Sequence, residues 1–354
     1  MLRLPPPPPF RAHPCFPGGD LQTVLGLALP KGIRPLEEIP GFVRVPIPLR
    51  CGGTLDGWYH EGKVRPAVLL LHGLGGTTRS GYLRQGAVRF ASSGHAVLAL
   101  DHRGSGGQHE KTTRPYMAGN TDDIEDALAW LKERAATDRI FAVGYSISGN
   151  TLLKLLGRGT THAPELSVAV CPPIDLDAAS HDLRHPRSKA YDLWVLRSCR
   201  RWIPTLTGDE PEGSYHVPRL SGLRTFDERY MGPVWGFESL SEYYLSASAV
   251  TTLHRVESPA VVMHSSNDPI VSSRVLQTAP RSRHVQVEII QGGGHLGFLA
   301  RRPGSLRVHR WLPDAVDHYL ALCREGALGS HYADSGVHRA MARSSTRRPS
   351  TTSS

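Results

Sequence analysis

Short, continuously apolar segments alternate with amphipathic ones along most of this 354-residue chain. No other feature constrains the fold as much. Strands are predicted at 42–49, 55–60, 66–71, 96–101, 140–144, 167–171, 260–264 and 285–290. The later ones are mostly continuous apolar runs, as expected of parallel strands covered on both faces. The first two, joined by Cys51-Gly52-Gly53, read as an antiparallel hairpin on the sheet edge. Between strands lie segments of helical period. In residues 122–135, Ile124, Ala127, Leu128 and Leu131 form one apolar face, Asp122 is the expected cap and Glu125 follows three residues on. Strand and helix in alternation specify an α/β fold with a mostly parallel eight-stranded sheet and helices on both faces.

One stretch breaks the rhythm. Residues 177–245 carry aromatic, proline and charged residues with helical patches and no clear strand, and the next strand begins only at 260. This reads as a helical lid inserted after the sixth strand. Residues 1–35, with five consecutive prolines at Pro5–Pro9, are expected to form an extended arm partly ordered against the domain. Residues 36–325 form the domain proper. The Ser- and Arg-rich tail, 326–354, is expected to be disordered.

Composition narrows the function classes. The apolar run Ala67–Leu71 is far too short to cross a bilayer, which needs about 20 residues. Prolines stand where a signal peptide needs an apolar helix, so a cytoplasmic protein is expected. Five scattered cysteines without a CxxC pair argue against a disulfide framework or a thiolate metal site. The 18 histidines are dispersed and form no HExxH. A net charge of +9 is compatible with an anionic partner, but no long basic run occurs, and no nucleic-acid partner is expected. Oligomeric state and peripheral contact with membranes stay open.

Ligands of open α/β sheets gather at the C-terminal ends of the strands. After the fifth strand comes Gly144-Tyr145-Ser146-Ile147-Ser148-Gly149-Asn150, running into a helical segment. Strand, sharp turn with serine at the apex, and helix make a nucleophile elbow. Ser148 stands where glycine is usual and adds a Cβ and a hydroxyl beside the nucleophile.

After the third strand, His72-Gly73-Leu74-Gly75-Gly76-Thr77-Thr78 frees backbone N–H groups to face an anion. A dinucleotide fingerprint needs glycine at Thr78. The other use is one arm of an oxyanion hole, with Leu74 N–H alongside Ile147 N–H. Gly57–Lys63 resembles a phosphate loop, but Val64 replaces the required hydroxyl residue and no helix follows.

Asp268 follows the seventh strand in Asn267-Asp268-Pro269, and His295 follows the eighth in Gly292-Gly293-Gly294-His295. Serine, acid, histidine is the chain order of a triad on this type of sheet. Asp175, just past the sixth strand, is an alternative acid. Asp101 reads as a turn-stabilising aspartate, and His72 as a support of the oxyanion loop.

Together these residues resemble the α/β-hydrolase superfamily, and within it the YheT-like, abhydrolase-domain esterases. The likeness rests on His72-Gly73-Leu74, the elbow with Gly149-Asn150, Asn267-Asp268-Pro269 and Gly294-His295-Leu296-Gly297-Phe298. It also rests on the segment from Asp227 through Gly236-Phe237 to Glu242-Tyr243-Tyr244, and on Asp20-Leu21-Gln22-Thr23. It implies a serine hydrolase of carboxylic esters, short- to medium-chain acyl esters or acylglycerol-type lipids, acting through an acyl-enzyme on Ser146. Neither metal nor organic cofactor is required, and the partner is a small-molecule or lipid ester. The lid aromatics Trp194, Trp202, Tyr215 and Trp235 are candidates for the acyl pocket or for plain lid core. Two alternatives stay open: a thioesterase or acyltransferase on the same triad, and a non-catalytic hydrolase-fold binding protein.

Overall fold

The computed structural model describes residues 1–29, 32–107, 111–112, 114–200, 217–218, 221–302, 304–326 and 328. Trp202, Tyr215 and nearly all of the tail lie outside the described residues.

Eight strands form one sheet: β1 (Phe42–Pro48), β2 (Thr54–His60), β3 (Val64–Leu71), β4 (His95–Leu100), β5 (Ile140–Tyr145), β6 (Leu166–Val170), β7 (Ala260–Ser265) and β8 (Val285–Ile290). Their spatial order is β1-β2-β4-β3-β5-β6-β7-β8. β1 pairs antiparallel with β2, and β2 antiparallel with β4. Every other pairing in this sheet is parallel. The hairpin therefore occupies one edge, as its turn chemistry predicts, and each predicted strand falls within two residues of an observed one.

The helices are α1 (Gly19–Ala28), α2 (Gly81–Ser92), α3 (Asp122–Arg134), α4 (Ile147–Arg158), α5 (Leu176–Arg184), α6 (Lys189–Cys199), α7 (Leu223–Phe226), α8 (Gly232–Trp235), α9 (Leu240–Ala247), α10 (Arg274–Thr278) and α11 (Trp311–Arg324). Alternate strand residues feed two cores. Val68, Leu70, Phe141 and Val143 pack on one face with α2 and α11. Leu69, Leu71, Ala142 and Leu98 pack on the other with Ile124, Leu128 and Leu131 of α3 and Leu152 of α4. All of these strand residues are fully buried. Each large side chain so removed from water contributes about 1.5–3 kcal/mol, which is what holds the layers together.

Helix α3 begins one residue earlier in effect than its sequence suggests. Thr121 is the cap position and Asp122 already lies in the helix, so the expected capping role of Asp122 is not made. Glu125 instead accepts hydrogen bonds from Arg158 and Thr160.

Between β6 and β7 the chain forms α5 to α9, interrupted by a π-turn at Asp227–Met231, and builds its own apolar cluster over the strand ends.

The N-terminal segment is less extended than its prolines suggest. Leu2 N–H donates to Arg283 O, and Trp311 Nε1 donates to Pro8 O. Phe10 packs edge-on against Phe298 and Trp311. Residues 19–28 then form α1, a helix the proline-rich composition obscured. A second ribbon, β9 (Leu299–Arg301) with β10 (Val308–Arg310), also lies outside the strands that the sequence predicts. It spans three residues per strand and carries no period.

Candidate active site

Strand β5 delivers Ser146 into a turn with φ 54° and ψ −122°. A side-chain-bearing residue rarely adopts this geometry, and it persists only where surroundings over-determine it. They do here. Ser146 N–H donates to Val170 O at 2.8 Å, and Ser146 O accepts from Gly149 N–H at 2.8 Å. A Cβ on Gly144 would stand 2.6 Å from Ser148 O, so strand and helix can approach this closely only with glycine there. Asn150, fully buried, ties α4 to Ala247 O and Ala249 N–H.

His295 arrives from the loop after β8. Its Nε2 lies 2.9 Å from Ser146 Oγ and its Nδ1 2.8 Å from Asp268 Oδ2. The other Asp268 oxygen accepts Ile270 and Val271 N–H, each at 2.9 Å. Burial pushes the Asp268 carboxyl up, but the His295 charge and hydrogen bond, with help from His264, outweigh it and hold it below the ordinary carboxylate range. An ionised carboxylate facing Nδ1 favours the tautomer in which Nδ1–H donates and Nε2 accepts from the serine.

The third arm is the loop after β3. A Cβ on Gly73 would lie 3.2 Å from Ser146 Cβ, so this backbone runs beside the serine. Tyr82 OH accepts Gly73 N–H at 2.9 Å. Thr78 donates to Asp101 through both its amide, at 2.6 Å, and its hydroxyl, at 2.9 Å. Asp101 is thus the anchor of this loop, and Thr78 is engaged where a nucleotide fingerprint needs glycine. Leu74 and Ile147 both line the cavity beside Ser146. Ile147 opens α4, so its N–H has no carbonyl one turn back to bond. Asp175, the alternative acid, caps α5 by accepting Ala178 N–H at 3.0 Å and is not in the serine–histidine chain.

Ser148 does more than fill space. Its hydroxyl donates to His72 O and lies 2.6 Å from His102 Nε2. His72 Nδ1 bonds Gly73 O at 2.8 Å, and His72 Nε2 accepts His102 N–H at 3.2 Å. Burial lowers both histidines. With both ring nitrogens engaged in the loop, His72 supports it and offers no base to the serine.

Ser146 opens onto a cavity of about 230 Å³ whose walls include Leu176, Phe226, Met231, Tyr243 and Trp194. Trp194 is 49% exposed at its wall. Trp235 stands elsewhere, beneath the guanidinium groups of Arg103 and Arg114 at 6.0 and 5.3 Å. Asp227 also lines the cavity and accepts Tyr244 OH at 2.8 Å. Burial pushes its carboxyl up to about 7 against the pull of Tyr244 and Arg224. Its place in the wall had no signal in the sequence beyond the resemblance.

Cys171 and His264 flank the acid, with ligand atoms of all three within 4.8 Å of one another. Burial, then Asp268, raises the Cys171 thiol well above its ordinary range. Neither residue stood out in the sequence, because each sits inside an apolar strand end.

A mostly parallel sheet with a strained serine at the β5–α4 turn and a hydrogen-bonded histidine and acid from the next strand ends defines an α/β-hydrolase of the serine type. Residues 62–299 match the family described as serine aminopeptidase, S33, and the chain belongs to that family. It sits with the YheT-like esterases within it. The chain is 28% identical to YheT of Escherichia coli (strain K12) over 72% of its own length and 76% of that protein. It is 26% identical to phospholipase ABHD3 of Homo sapiens over 68% of its length, spanning only 60% of that relative. Among solved structures, the α/β-hydrolase GrgF from Penicillium sp. sh18 has a TM-score of 0.55 at 20% identity, covering 84% of this chain and all of that one. That likeness is one of fold. No helix among the described residues is long and apolar enough to cross a membrane.

Proposed function

We propose that the protein hydrolyses carboxylic esters through an acyl-enzyme on Ser146, with short- to medium-chain acyl esters or acylglycerol-type lipids as substrates. The observation that carries this is the unbroken chain from Asp268 through His295 to Ser146, opening on an apolar cavity. His295 Nε2 takes the Ser146 proton as Oγ bonds to the ester carbonyl carbon. The carbonyl oxygen gains the negative charge and accepts the Leu74 and Ile147 N–H groups, each worth about 3–4 kcal/mol in the transition state. The tetrahedral adduct expels the alcohol, which leaves with the proton from His295. Water, deprotonated by His295, then releases the acid and restores the serine.

The helices between β6 and β7 act as the lid, and the cavity beneath them takes the acyl chain. The lipid-directed activity in the name of the human relative supports a lipid ester over a polar one. Intact-mass labelling with a fluorophosphonate tests the reading. One adduct is expected on the wild type and none on Ser146→Ala. Absence of an adduct on the folded wild type overturns it.

A further inference from the structure

His295 sits in a loop with little to stiffen it from within. Gly292 and Gly293 both have positive φ, and Leu296, at φ 60°, takes a conformation that side chains disfavour. Ser265 Oγ donates to Gly292 O at 2.7 Å and Ser266 Oγ accepts Gly292 N–H at 2.9 Å, which holds the start of the loop, but the His295 amide itself is held by α1, the helix near the other end of the chain. The His295 N–H donates to Thr23 Oγ at 2.8 Å, a buried bond across 272 residues. The same hydroxyl donates to Gly19 O at 2.7 Å, which fixes its lone pair toward the loop. Gln22 holds the far side of the loop. Its Oε1 accepts Leu299 N–H at 2.6 Å, while its Nε2 donates to Leu299 O at 3.0 Å and Phe16 O at 2.8 Å. Both residues are 1% exposed.

The contact is backbone on backbone. A Cβ on Gly297 would meet Gln22 O at 1.8 Å, and one on Gly26 would meet Gly297 Cα at 2.4 Å. Only glycine at these crossings lets the helix lie this close. A helix merely covering the surface needs none of this precision. One of these bonds falls on the amide of the residue that carries the imidazole.

We infer that Thr23 is a positioning residue for His295, its hydroxyl pinning the histidine backbone so that Nε2 meets Ser146 Oγ, with Gln22 locking the next turn of the same loop. This rests on the reading of His295 as the general base. Misplacing a reacting group by about 1 Å costs on the order of 100-fold in rate. Thr23 touches no substrate, so its loss belongs in kcat and not in KM.

The test compares Thr23→Val, which keeps the shape and deletes the hydroxyl, with Thr23→Ser, which keeps the hydroxyl, and with Ser146→Ala, all in the full chain. Thr23→Val is expected to lose about 30–100-fold in kcat on a soluble acyl ester, with KM within about threefold of wild type. Thr23→Ser is expected to recover most of that loss. A folded Thr23→Val with wild-type kcat overturns the inference, as does Thr23→Ser being equally impaired, which makes the methyl the important part. If Thr23→Val fails to fold, amide exchange in the unaltered protein decides. A His295 amide as slow as those of β7 supports the clamp, and one as fast as an open loop refutes it. Hydrolysis that survives in Ser146→Ala sinks the triad reading itself, whereas an unimpaired Thr23→Val beside a dead Ser146→Ala sinks the clamp alone.

Discussion

The serine and histidine halves of the site are held in opposite ways. Ser146 is fixed largely by residues close to it in sequence: Gly144, Ser148, Gly149 and Asn150 all lie within four positions, on a strand and a helix buried in the centre of the molecule, with Val170 O of the neighbouring strand holding its amide. His295 stands on a loop that its own sequence leaves floppy, and a helix whose Thr23 hydroxyl lies 272 residues away holds its amide. A strained turn can be written locally when the elements around it are already rigid. A loop at the end of the last sheet strand has a strand end on one side only, at Ser265 and Ser266, and borrows further support.

The comparison can be broken most directly at its two functional ends. Ser146→Ala is expected to lower kcat/KM by at least about 10⁴-fold and abolish fluorophosphonate labelling. Asp268→Asn should cost about as much, by removing the charge that sets the His295 tautomer. Ester turnover by the purified variants checks both. If Asp268→Asn stays within tenfold of wild type, the acid has been assigned to the wrong carboxylate.

A pair of glycine substitutions sharpens the contrast. Gly144→Ala forces a Cβ into Ser148 backbone inside the core and should cost both activity and stability, the latter by about 1–3 kcal/mol. Gly297→Ala forces one into Gln22 backbone at the α1 contact. It should cost activity on the order of 100-fold while thermal unfolding of the sheet shifts less than in Gly144→Ala. Calorimetry beside turnover separates them, and equal loss of Tm in both variants contradicts the contrast.

Two smaller effects bear on the serine side alone. Ser148→Gly removes the hydroxyl shared by His72 O and His102, which keep only their own contact at 3.2 Å. It should destabilise by about 0.5–1.5 kcal/mol, with turnover changed less than tenfold. Asp227, raised to about 7, binds its proton more tightly folded than unfolded. Its contribution is therefore intact below about pH 4, the unfolded value, and is lost as pH rises through about 7. Asp227→Asn should accordingly gain stability over wild type at pH 8 and lose that advantage as pH falls toward 4. Tm measured across that range checks the sign.

Much of the fold and of the site is legible in the sequence. The central strands are readable because burial on both faces leaves them few polar positions, and the elbow because its chemistry is written in consecutive residues. Asp268 and His295 followed from strand ends and chain order. What could not be read depends on distance in the chain. Gln22 and Thr23 look like any polar pair on a short helix until the loop at Gly294–Leu299 is laid against them. Leu2 and Leu4, among prolines, gave no period, yet both are buried against the main core. Ser148 read as a steric concession, because nothing local announces that His72 and His102 lie over it. Trp235 fits an aromatic pocket by composition, and only the placement of Arg103 and Arg114 shows it stacked elsewhere.

The docking of α1 on the loop after β8 also sets an order of events. A chain is made from its N-terminus, so α1 leaves the ribosome long before the glycines it must meet. The central strands can pair and close their cores while 291–299 are still unmade, but the imidazole has no fixed place until those residues emerge and the first helix returns to them. Activity should therefore appear as the last event of biosynthesis, after most of the protein is already folded.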